Sequence, residues 1–428
     1  MTIYDLSSLS SEERQRLLRR PDRDLVAAQE IVASLCDEVR ASGDAALRQL
    51  TARFDGVTVD RFRLTADEIA AGAESVSSEL RTAIAAAAAN IRTFHRSQGY
   101  RTETVETTPG VRCWREARPL RSVGLYVPAG SAPLPSTVLM LGVPAQLAGC
   151  ERIVLCSPPR TNGSVDPTVL AAARLLGIAE VYRCGGVQAI AAMAYGTESV
   201  PRVDKIFGPG NAYVTAAKRR VASDPDGCAI DLVAGPSELL VIADDAADPR
   251  RIAADLLSQA EHDPASPVVL VTTDRPLAKR TAERLAELAR TTARQSIIAH
   301  SLRHAFAVIA PSLDEAVDFS NAYAPEHLII DTRDPMSLVP RIRNAGSVFV
   351  GPWSPVTAGD YASGTNHTLP TGGAARQMSG LSLESFQSLI SFQILTREGL
   401  AQLRPTLTAL GTAEGLPAHV AAVDARFE

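Results

Sequence analysis

The spacing of hydrophobic residues divides the chain into helical ends and a middle in which short strands alternate with helices. Between about residues 26 and 95, apolar positions recur at helical spacing, with breaks near Gly43 and at residues 54–56, which predicts several amphipathic helices. Ser10 followed by Glu13 has the spacing of a capping box and predicts a short helix at the start. From residue 383 onwards we again predict helix.

Apolar runs of strand length begin at residue 123 and alternate with helix-like segments. The predicted strands cover residues 123–127, 152–156, 180–184, 205–207, 239–243, 268–271, 306–309, 328–330 and 347–350. Such alternation is typical of βαβ units that build parallel sheets. We therefore predict an α/β protein with two doubly wound domains and helical extensions at both ends.

The composition is ordinary for a soluble enzyme. The chain has 428 residues, of which 46% are hydrophobic and 21% charged, and its formal net charge is -5, so we expect two or more domains. Basic and acidic residues are interspersed, which argues against a nucleic-acid or membrane-surface protein. No signal peptide or stretch of transmembrane length is visible, so we expect a cytoplasmic protein. The six cysteines form no Cys-x-x-Cys pair, which favours buried, reduced thiols, and for Cys184 a packed thiol is favoured over a nucleophile.

Glu326 and His327 are the most informative pair of residues in the chain. A carboxylate beside an imidazole supplies two proton-transfer groups with different intrinsic pKa values. The pair follows Pro325, which interrupts regular structure, and precedes the predicted strand at residues 328–330. Neighbours in a regular strand point to opposite faces, so both side chains can face one cavity only if the backbone after Pro325 is irregular. From these residues alone, a solvated pair at a strand edge is slightly favoured.

Weaker candidates for chemistry lie on a helix and in a long loop. Gln259 and His262 share one face of the predicted helix at residues 248–262, where they could bind a metal, although the simpler role of complementing the helix dipole is favoured. Asp360 and His367 lie in a glycine-rich stretch without periodicity. That setting suits a binding loop and a flexible surface loop about equally.

Three glycine-containing turns follow the predicted strands that end near residues 127, 184 and 207. Such turns let a ligand approach the backbone, and the helix N-termini behind them attract phosphate. Neither Gly-x-Gly-x-x-Gly nor a Walker motif is present, so a nucleotide site and plain βα turns both stay open. His419, five residues after Glu414, belongs to a short predicted C-terminal helix, where an isolated histidine is usually solvated.

Eight motifs, in a fixed order along the chain, carry a resemblance to one family. They are Val-Gly-Leu-Tyr-Val-Pro from Val123, Gly-Gly-Val-Gln-Ala-Ile-Ala from Gly185, Lys-Ile-Phe-Gly-Pro-Gly-Asn from Lys205, Ala-Gly-Pro-Ser-Glu from Ala234, Ser-Gln-Ala-Glu-His from Ser258, Ala-Pro-Glu-His-Leu from Ala324, Gly-Asp-Tyr-Ala-Ser-Gly-Thr-Asn-His from Gly359, and Glu-Gly-Leu-Pro-Ala-His from Glu414. Through these motifs the chain resembles, over nearly its whole length, the histidinol dehydrogenases of histidine biosynthesis. Ala129 stands where that family commonly has a second glycine, which we expect to alter the cofactor turn slightly.

The resemblance implies a zinc-dependent, NAD-linked oxidation of L-histidinol through L-histidinaldehyde to L-histidine, with two NAD consumed. It also implies a fold of two incomplete Rossmann-like domains arranged as in aldehyde dehydrogenases, and a homodimer with shared active sites. By residue matching, the zinc ligands would be Gln259, His262, Asp360 and His419, the last reaching the site of the partner subunit; NAD would be bound by Tyr126, Gln188 and Asn211; and the substrate would be contacted by Ser237, His327, His367 and Glu414 together with the zinc ligands.

The implied chemistry agrees with the residue types. Two nitrogen and two oxygen ligands suit zinc, and a substrate with an imidazole and an amine could be positioned by that zinc. His327 suits removal of the alcohol proton at neutral pH, and a carboxylate of raised pKa at Glu326 suits activation of water for the aldehyde step. No cysteine nucleophile is then required.

The resemblance also predicts a division of the chain into parts. Residues 1–25 form an N-terminal helical extension, 26–122 with 238–380 form a first α/β domain on the zinc side, 123–237 form a second on the NAD side, and 381–428 form a helical tail that reaches the partner.

Three alternatives stay open at this point. One is a zinc- and NAD-dependent dehydrogenase of another small polar alcohol, the second is a zinc hydrolase, and the third is a non-catalytic metal-binding scaffold. The glycine turns near Gln188 and Asn211 argue against the hydrolase, because it would need no dinucleotide.

Overall fold

The structure is a computed structural model that describes residues 1–20, 25–129, 132–233 and 235–428. Gly130 and Ser131 of the first glycine turn, and Ala234 at the start of one motif, lie outside the described residues. The strands are β1 (Thr2–Asp5), β2 (Thr104–Thr108), β3 (Val111–Pro119), β4 (Ser122–Tyr126), β5 (Arg152–Ser157), β6 (Glu180–Arg183), β7 (Lys205–Phe207), β8 (Ala229–Ile230), β9 (Leu239–Ala243), β10 (Val268–Thr272), β11 (Phe306–Ile309), β12 (His327–Asp331), β13 (Ser347–Val350) and β14 (Gln387–Leu395). The α-helices are α1 (Ser11–Leu18), α2 (Leu25–Phe54), α3 (Ala66–Glu74), α4 (Ser78–Arg96), α5 (Pro135–Ala148), α6 (Pro167–Leu175), α7 (Gly186–Tyr195), α8 (Ala212–Ser223), α9 (Pro249–Ala260), α10 (Arg275–Ala289), α11 (Gln295–Ser301), α12 (Leu313–Tyr323), α13 (Val356–Tyr361), α14 (Arg397–Ala413) and α15 (Pro417–Asp424).

A six-stranded parallel sheet organises one half of the molecule, in the order β1-β11-β10-β9-β12-β13. Its central strands β9, β10 and β12 are buried at every position, as expected where helices cover both faces of a parallel sheet. Helices α9, α10 and α11 contribute to the core on one face, and α1 and α12 contribute to the core on the other.

A five-stranded parallel sheet organises the other half, in the order β6-β5-β4-β7-β8. Helices α3 to α6 pack on one face, and α2, α7 and α8 pack on the other. The predicted pair of doubly wound α/β sheets is therefore confirmed.

The helices of the N-terminal third do not follow the predicted division. Residues 26–122 were grouped with residues 238–380, yet α2 packs against α7 and α8, α3 against α6, and α4 against α5. All of these partners belong to the five-stranded half, so the division is corrected here. The apolar stripe of an amphipathic helix shows which face is buried but not which sheet it packs against, so the hydrophobic pattern could not predict these contacts.

Both ends of the chain contain strands where only helices were predicted. β1 pairs in parallel with β11 at the edge of the six-stranded sheet, so residues 1–25 are more than a helical extension. β14 pairs antiparallel with β3, which also pairs with β2, so the predicted helix after residue 383 is wrong at 387–395. α14 and α15 complete the tail as predicted. None of the helices that the structure describes has the length and hydropathy needed to span a membrane.

Candidate functional site

Glu326 and His327 lie together, buried, at the start of β12, and we call the space around their side chains the pocket. α12 ends at Tyr323, and Ala324 follows with a positive φ of 53°, which supplies the irregular backbone that the sequence argument required. The Glu326 carboxylate accepts a hydrogen bond from the backbone N–H of Glu238 at 2.8 Å, and the same oxygen lies 3.5 Å from Nδ1 of His327. Each of the two residues is only 4% exposed. The pair is therefore buried and adjacent, and the interpretation as a solvated strand edge is excluded.

The backbone fixes the tautomer of His327. Nδ1 lies 3.1 Å from the carbonyl oxygen of Glu238, which can only accept, so Nδ1 carries the proton. Nε2 then carries the free lone pair of the ring. This atom is buried without a hydrogen-bond partner among the described residues and lies 3.9 Å from Oδ1 of Asp360. Burial lowers the pKa of His327 to about 3, so the ring is neutral near pH 7. His327 thus presents a neutral acceptor, as a general base must.

The surroundings of Glu326 favour its protonated form. Burial raises the pKa of Glu326 well above its usual range, and the nearby carboxylates of Glu238 and Asp360 act in the same direction. Hydrogen bonds from the backbone of Glu238 and the side chain of Ser237 oppose this shift. A carboxyl group of raised pKa becomes a stronger base once it loses its proton, which suits the activation of water.

Asp360, His367 and His262 surround the same pocket. Asp360 lies on α13, and burial raises its pKa to about 7. Nδ1 of His367 is 3.0 Å from the backbone oxygen of Asp360, and burial lowers the pKa of His367 to about 4. His262 follows α9 and is close enough that its charge lowers the pKa of both His327 and His367. The structure therefore brings together residues from three separate segments that the sequence singled out.

Gln259 supplies the observation that fits a metal. Its side chain is buried on α9, and neither its amide oxygen nor its amide nitrogen has a hydrogen-bond partner among the described residues. An unpaired buried amide is costly, and a cation bound by the oxygen would satisfy half of it. No cluster of three or more His, Cys, Asp or Glu within the described part of the chain could hold a metal. The donors available, an amide oxygen, a carboxylate and an imidazole, fit zinc with one further ligand from elsewhere.

Two predicted site residues lie away from this pocket within the chain. Glu414 follows α14 and His419 lies in α15, and both are exposed. α14 and α15 pack against each other, and α14 also contacts β14. The assignment of His419 as a ligand and Glu414 as a substrate contact stays a prediction that requires a second subunit.

The three predicted NAD residues follow strands of the five-stranded sheet. Tyr126 ends β4 and accepts a hydrogen bond from the N–H of Gly186 at 3.1 Å, while Gln188 lies in the first turn of α7. Asn211 is the N-cap of α8 and accepts from the N–H of Val214 at 3.1 Å. Carboxyl ends of parallel strands and helix N-termini are where dinucleotides bind in such folds, although the NAD role itself stays a prediction.

Two opposed sheet edges meet at the site. Glu326 immediately precedes β12, and Glu238 immediately precedes β9. Glu326 and His327, which we call the acid–base pair, therefore lie at the amino edge of the six-stranded sheet. Thr137, at the start of α5 beyond the carboxyl end of β4, lies 3.5 Å from Nε2 of His367 through its hydroxyl. The carboxyl edge that carries the predicted NAD residues therefore adjoins the pocket, and a ligand between the two could reach both.

The comparisons with known proteins identify the family. A family model described as histidinol dehydrogenase matches residues 18–427. The chain belongs to the histidinol dehydrogenase family. It is 51% identical over 428 residues to the histidinol dehydrogenase of Pectobacterium atrosepticum, covering 99% of this chain and 96% of that protein. The crystal structure of histidinol dehydrogenase from Elizabethkingia anophelis matches with a TM-score of 0.95 at 46% identity, covering 100% of this chain and 98% of that one.

The family fold extends to aldehyde dehydrogenases. An acetylating aldehyde dehydrogenase from Geobacillus thermoglucosidasius matches with a TM-score of 0.50 at 14% identity, covering 90% of this chain and 94% of that chain. At this identity the likeness concerns the fold alone. It confirms the predicted aldehyde-dehydrogenase-like architecture.

The sequence reasoning missed residues that contact the acid–base pair. Glu238 uses its backbone N–H and carbonyl oxygen to hold Glu326 and His327, and Arg20 forms an ion pair with its carboxylate. Glu238 closes the motif that begins at Ala234 and immediately precedes an apolar run, so an acidic residue at a buried strand start was an available signal. Arg20 offered none, because 218 positions separate it from Glu238.

Proposed function

We propose that the chain oxidises L-histidinol through L-histidinaldehyde to L-histidine, with zinc and two NAD, as the last two steps of histidine biosynthesis, in a homodimer with shared sites. The observation that carries this proposal is the buried Glu326–His327 pair, in which Nε2 of His327 has no hydrogen-bond partner among the described residues and lies 3.9 Å from Oδ1 of Asp360. A chain of the histidinol dehydrogenase family that holds two adjacent proton-transfer groups can serve two successive oxidations at one place.

His327 takes the proton in the alcohol step. Its neutral ring accepts the hydroxyl proton of histidinol at Nε2 while hydride leaves the carbon that bears this hydroxyl, and the other ring proton stays on Nδ1, hydrogen-bonded to the carbonyl oxygen of Glu238. The hydrogen bond to Glu238 keeps the ring from rotating, so the acceptor remains aimed into the pocket.

Glu326 acts in the aldehyde step. In its ionised form it removes a proton from the water that adds to the aldehyde carbon, and the resulting hydrate loses a second hydride to give the carboxylic acid. The Glu238 N–H at 2.8 Å holds the carboxylate oriented for this role. Because no thioester is needed, this route agrees with Cys184, which is fully buried.

The proposed cofactors would be held by residues on opposite sides of the pocket. Gln259, His262 and Asp360, with His419 of a partner subunit, would hold zinc, which would supply a fixed anchor for the imidazole and amine of the substrate. Tyr126, Gln188 and Asn211 would hold NAD, which would supply the hydride acceptor. Ser237, His367 and Glu414 would complete the contacts with substrate.

Counting reduced cofactor tests the proposal directly. With limiting histidinol and excess NAD, we expect two NADH for each histidinol consumed. One NADH per histidinol would indicate an ordinary alcohol dehydrogenase, and none would favour the hydrolase; either result overturns the four-electron reaction. The zinc assignment is tested separately, because His262→Asn should lower the metal content measured by mass spectrometry below that of the unaltered protein.

A further inference from the structure

Glu238 contacts the proposed acid–base pair through every polar group it has. Its N–H donates to the carboxylate of Glu326 at 2.8 Å, and its carbonyl oxygen accepts from the backbone N–H and lies near Nδ1 of His327, at 3.2 and 3.1 Å. Its own carboxylate accepts from the backbone N–H of Glu326 at 3.2 Å. One buried residue therefore fixes the backbone and both side chains of the pair.

Arg20 holds the Glu238 carboxylate with two parallel hydrogen bonds. Nε and Nη2 of Arg20 lie 2.6 and 2.8 Å from the two carboxylate oxygens, and the Glu238 side chain is 0% exposed. A guanidinium that binds both oxygens fixes the carboxylate plane as well as its position. The same Nη2 donates to the backbone oxygen of Tyr323 at 2.8 Å, and the guanidinium lies 3.4 Å from the centroid of the Tyr323 ring.

These contacts enclose the turn that presents the acid–base pair. Tyr323 is the last residue of α12, and Ala324 and Pro325 then lead directly to Glu326. Arg20 binds the start of the turn through the backbone oxygen of Tyr323, and Glu238 binds its end through hydrogen bonds with Glu326. The strained positive φ of Ala324 persists only if the surrounding structure holds it, and the contacts of Arg20 and Glu238 on either side of Ala324 do so.

The N-terminal segment, whose strand β1 lies at the edge of the six-stranded sheet, holds Arg20 in place. β1 pairs with β11, and Leu6 and Leu17 are buried in the same core as Tyr323. Arg20 lies two residues after α1 and donates from Nη1 to the backbone oxygen of Leu18 at 2.8 Å. The guanidinium is thus delivered to the turn by a segment that is itself fixed to the edge of the sheet.

We propose that Arg20 and Glu238 form a positioning pair that holds Glu326 and His327 in their reactive geometry. This inference rests on the proposed function, because it assigns the pair's importance to the two oxidations. A buried ion pair is often no more stabilising than apolar residues of equal size, so stability alone gives little reason for one here. The ion pair instead fixes geometry. The two hydrogen bonds from Arg20 orient the Glu238 carboxylate, and this carboxylate holds the turn through the N–H of Glu326. The backbone oxygen of Glu238 fixes the tautomer of His327.

Substitutions at both positions separate positioning from stability. Arg20→Met and Glu238→Leu should each lower kcat for histidinol by about tenfold or more, with KM changed less than about twofold, because the bases are misplaced while substrate contacts persist. Glu238→Gln keeps an acceptor for the N–H of Glu326 and should recover much of that kcat. Arg14→Met is the matched control, since Arg14 donates to the backbone oxygen of Leu6 in the same segment, and kcat should be unchanged.

The double variant Arg20→Met with Glu238→Leu provides the decisive comparison. It removes the buried carboxylate that Arg20→Met alone leaves unpaired, so its thermal stability should exceed that of Arg20→Met. Its kcat should nevertheless stay low. A double variant with the kcat of the unaltered protein would overturn the positioning role, and so would an Arg20→Met variant that changes KM alone.

The ring of His327 gives a readout that needs no turnover. In protein labelled with ¹⁵N-histidine, the His327 signal, identified by its loss in His327→Asn, should report a proton on Nδ1. Glu238→Leu keeps the backbone oxygen that Nδ1 contacts but removes the carboxylate that holds the turn, so we expect the turn to shift, this contact to weaken and the two tautomers to mix. An unchanged ring signal in that variant would overturn the inference. Failure of the unaltered protein to oxidise histidinol would instead contradict the proposed function, so the two failures are distinguishable.

Discussion

At the scale of single residues, one pocket shifts two neighbouring groups in opposite directions towards neutrality. Burial lowers the pKa of His327 to about 3 and raises the pKa of Glu326 well above its usual range. His327 is therefore ready to accept a proton at neutral pH, whereas Glu326 must first lose one. Both shifts have the same cause, because burial disfavours the charged form of each group, which is the protonated ring of His327 and the ionised carboxylate of Glu326.

Replacement of Glu326 tests this division of labour. Glu326→Gln should slow oxidation of histidinaldehyde by about 10²-fold and slow oxidation of histidinol much less, because only the aldehyde step needs the carboxylate. In the unaltered protein the aldehyde step should accelerate as pH rises, since the raised pKa of Glu326 means that its basic form accumulates at higher pH. Rapid-mixing measurements with each substrate would reveal both effects. Equal losses in the two steps would contradict the assignment.

Asp55 offers a test of burial away from the acid–base pair. It lies 3.4 Å from the amide nitrogen of Gln188, and burial raises its pKa to about 6. Because the folded state holds this proton more tightly than the unfolded state does, the contribution of Asp55 to stability is fully present below about pH 4 and is lost as the pH rises through about 6. Asp55→Asn removes the effect and should be more stable by about 1 kcal/mol at pH 8, a value discounted for the partial exposure of the group, with no difference near pH 4.

Thermal unfolding at the two pH values measures this difference. Asp60→Asn, at an exposed position close by in the chain, controls for the loss of a surface carboxylate. An Asp55→Asn variant whose stability gain is the same at both pH values would show that ionisation of Asp55 is not the cause.

At the scale of elements, the turn between β7 and α8 depends on backbone contacts that only glycine permits. Gly208 has a φ of 126°, and a side chain there would collide with the backbone oxygen of Tyr126. Its N–H donates to Asp231 at 2.8 Å and its carbonyl oxygen accepts from Lys218 at 2.8 Å, within a buried Lys218–Asp231 ion pair. The turn that leads to Asn211 is thus held from both sides.

Gly208→Ala should weaken NAD binding. The added methyl group must displace either Tyr126 or the turn, so both flanks of the proposed NAD site move, and we expect Kd for NAD to rise about tenfold. Calorimetric titration measures it. Gly177→Ala is the control for a side chain placed at positive φ, because Gly177 has a φ of 66° and no atom lies within 4 Å of the added methyl group. If both variants bind NAD equally, the turn does not shape the site.

The elements also show which features the sequence could predict. The apolar runs at 239–243 and 268–271 predicted β9 and β10 because buried parallel strands are almost uninterrupted hydrophobic sequence. β14 was missed because its exposed positions carry Ile390 and Ile394, so no clean alternation marks it, and its partner β3 lies more than 250 positions away. The resemblance supplied the pocket residues, but the contacts of Arg20 and Glu238 arise only when distant segments pack.

At the scale of the whole molecule, the site is assembled where the amino edge of one sheet adjoins the carboxyl edge of the other. Thr137 and His367 connect the two edges, and Asn366 donates to the backbone oxygen of Met140 at 2.7 Å beside them. The C-terminal hairpin of α14 and α15 keeps Leu407, Leu410 and Leu416 exposed, at 36, 57 and 39%. Apolar residues displayed along one terminal hairpin favour burial against another chain, in agreement with the proposed partner role of His419.

Mixing two inactive variants tests whether sites are shared between subunits. We expect His262→Asn and His419→Asn each to be nearly inactive alone. When the two are unfolded together, refolded and supplied with zinc, half of the dimers should be mixed, and one of the two sites in each should combine an intact His262 with an intact His419 of the partner. The mixture should therefore recover about a quarter of the unaltered activity, measured as NADH formation, because a closed two-fold dimer exchanges the same element in both directions. If each chain instead built its site from its own His419, no combination of the two variants could restore activity. Recovery after mixing thus requires an exchange of the tail.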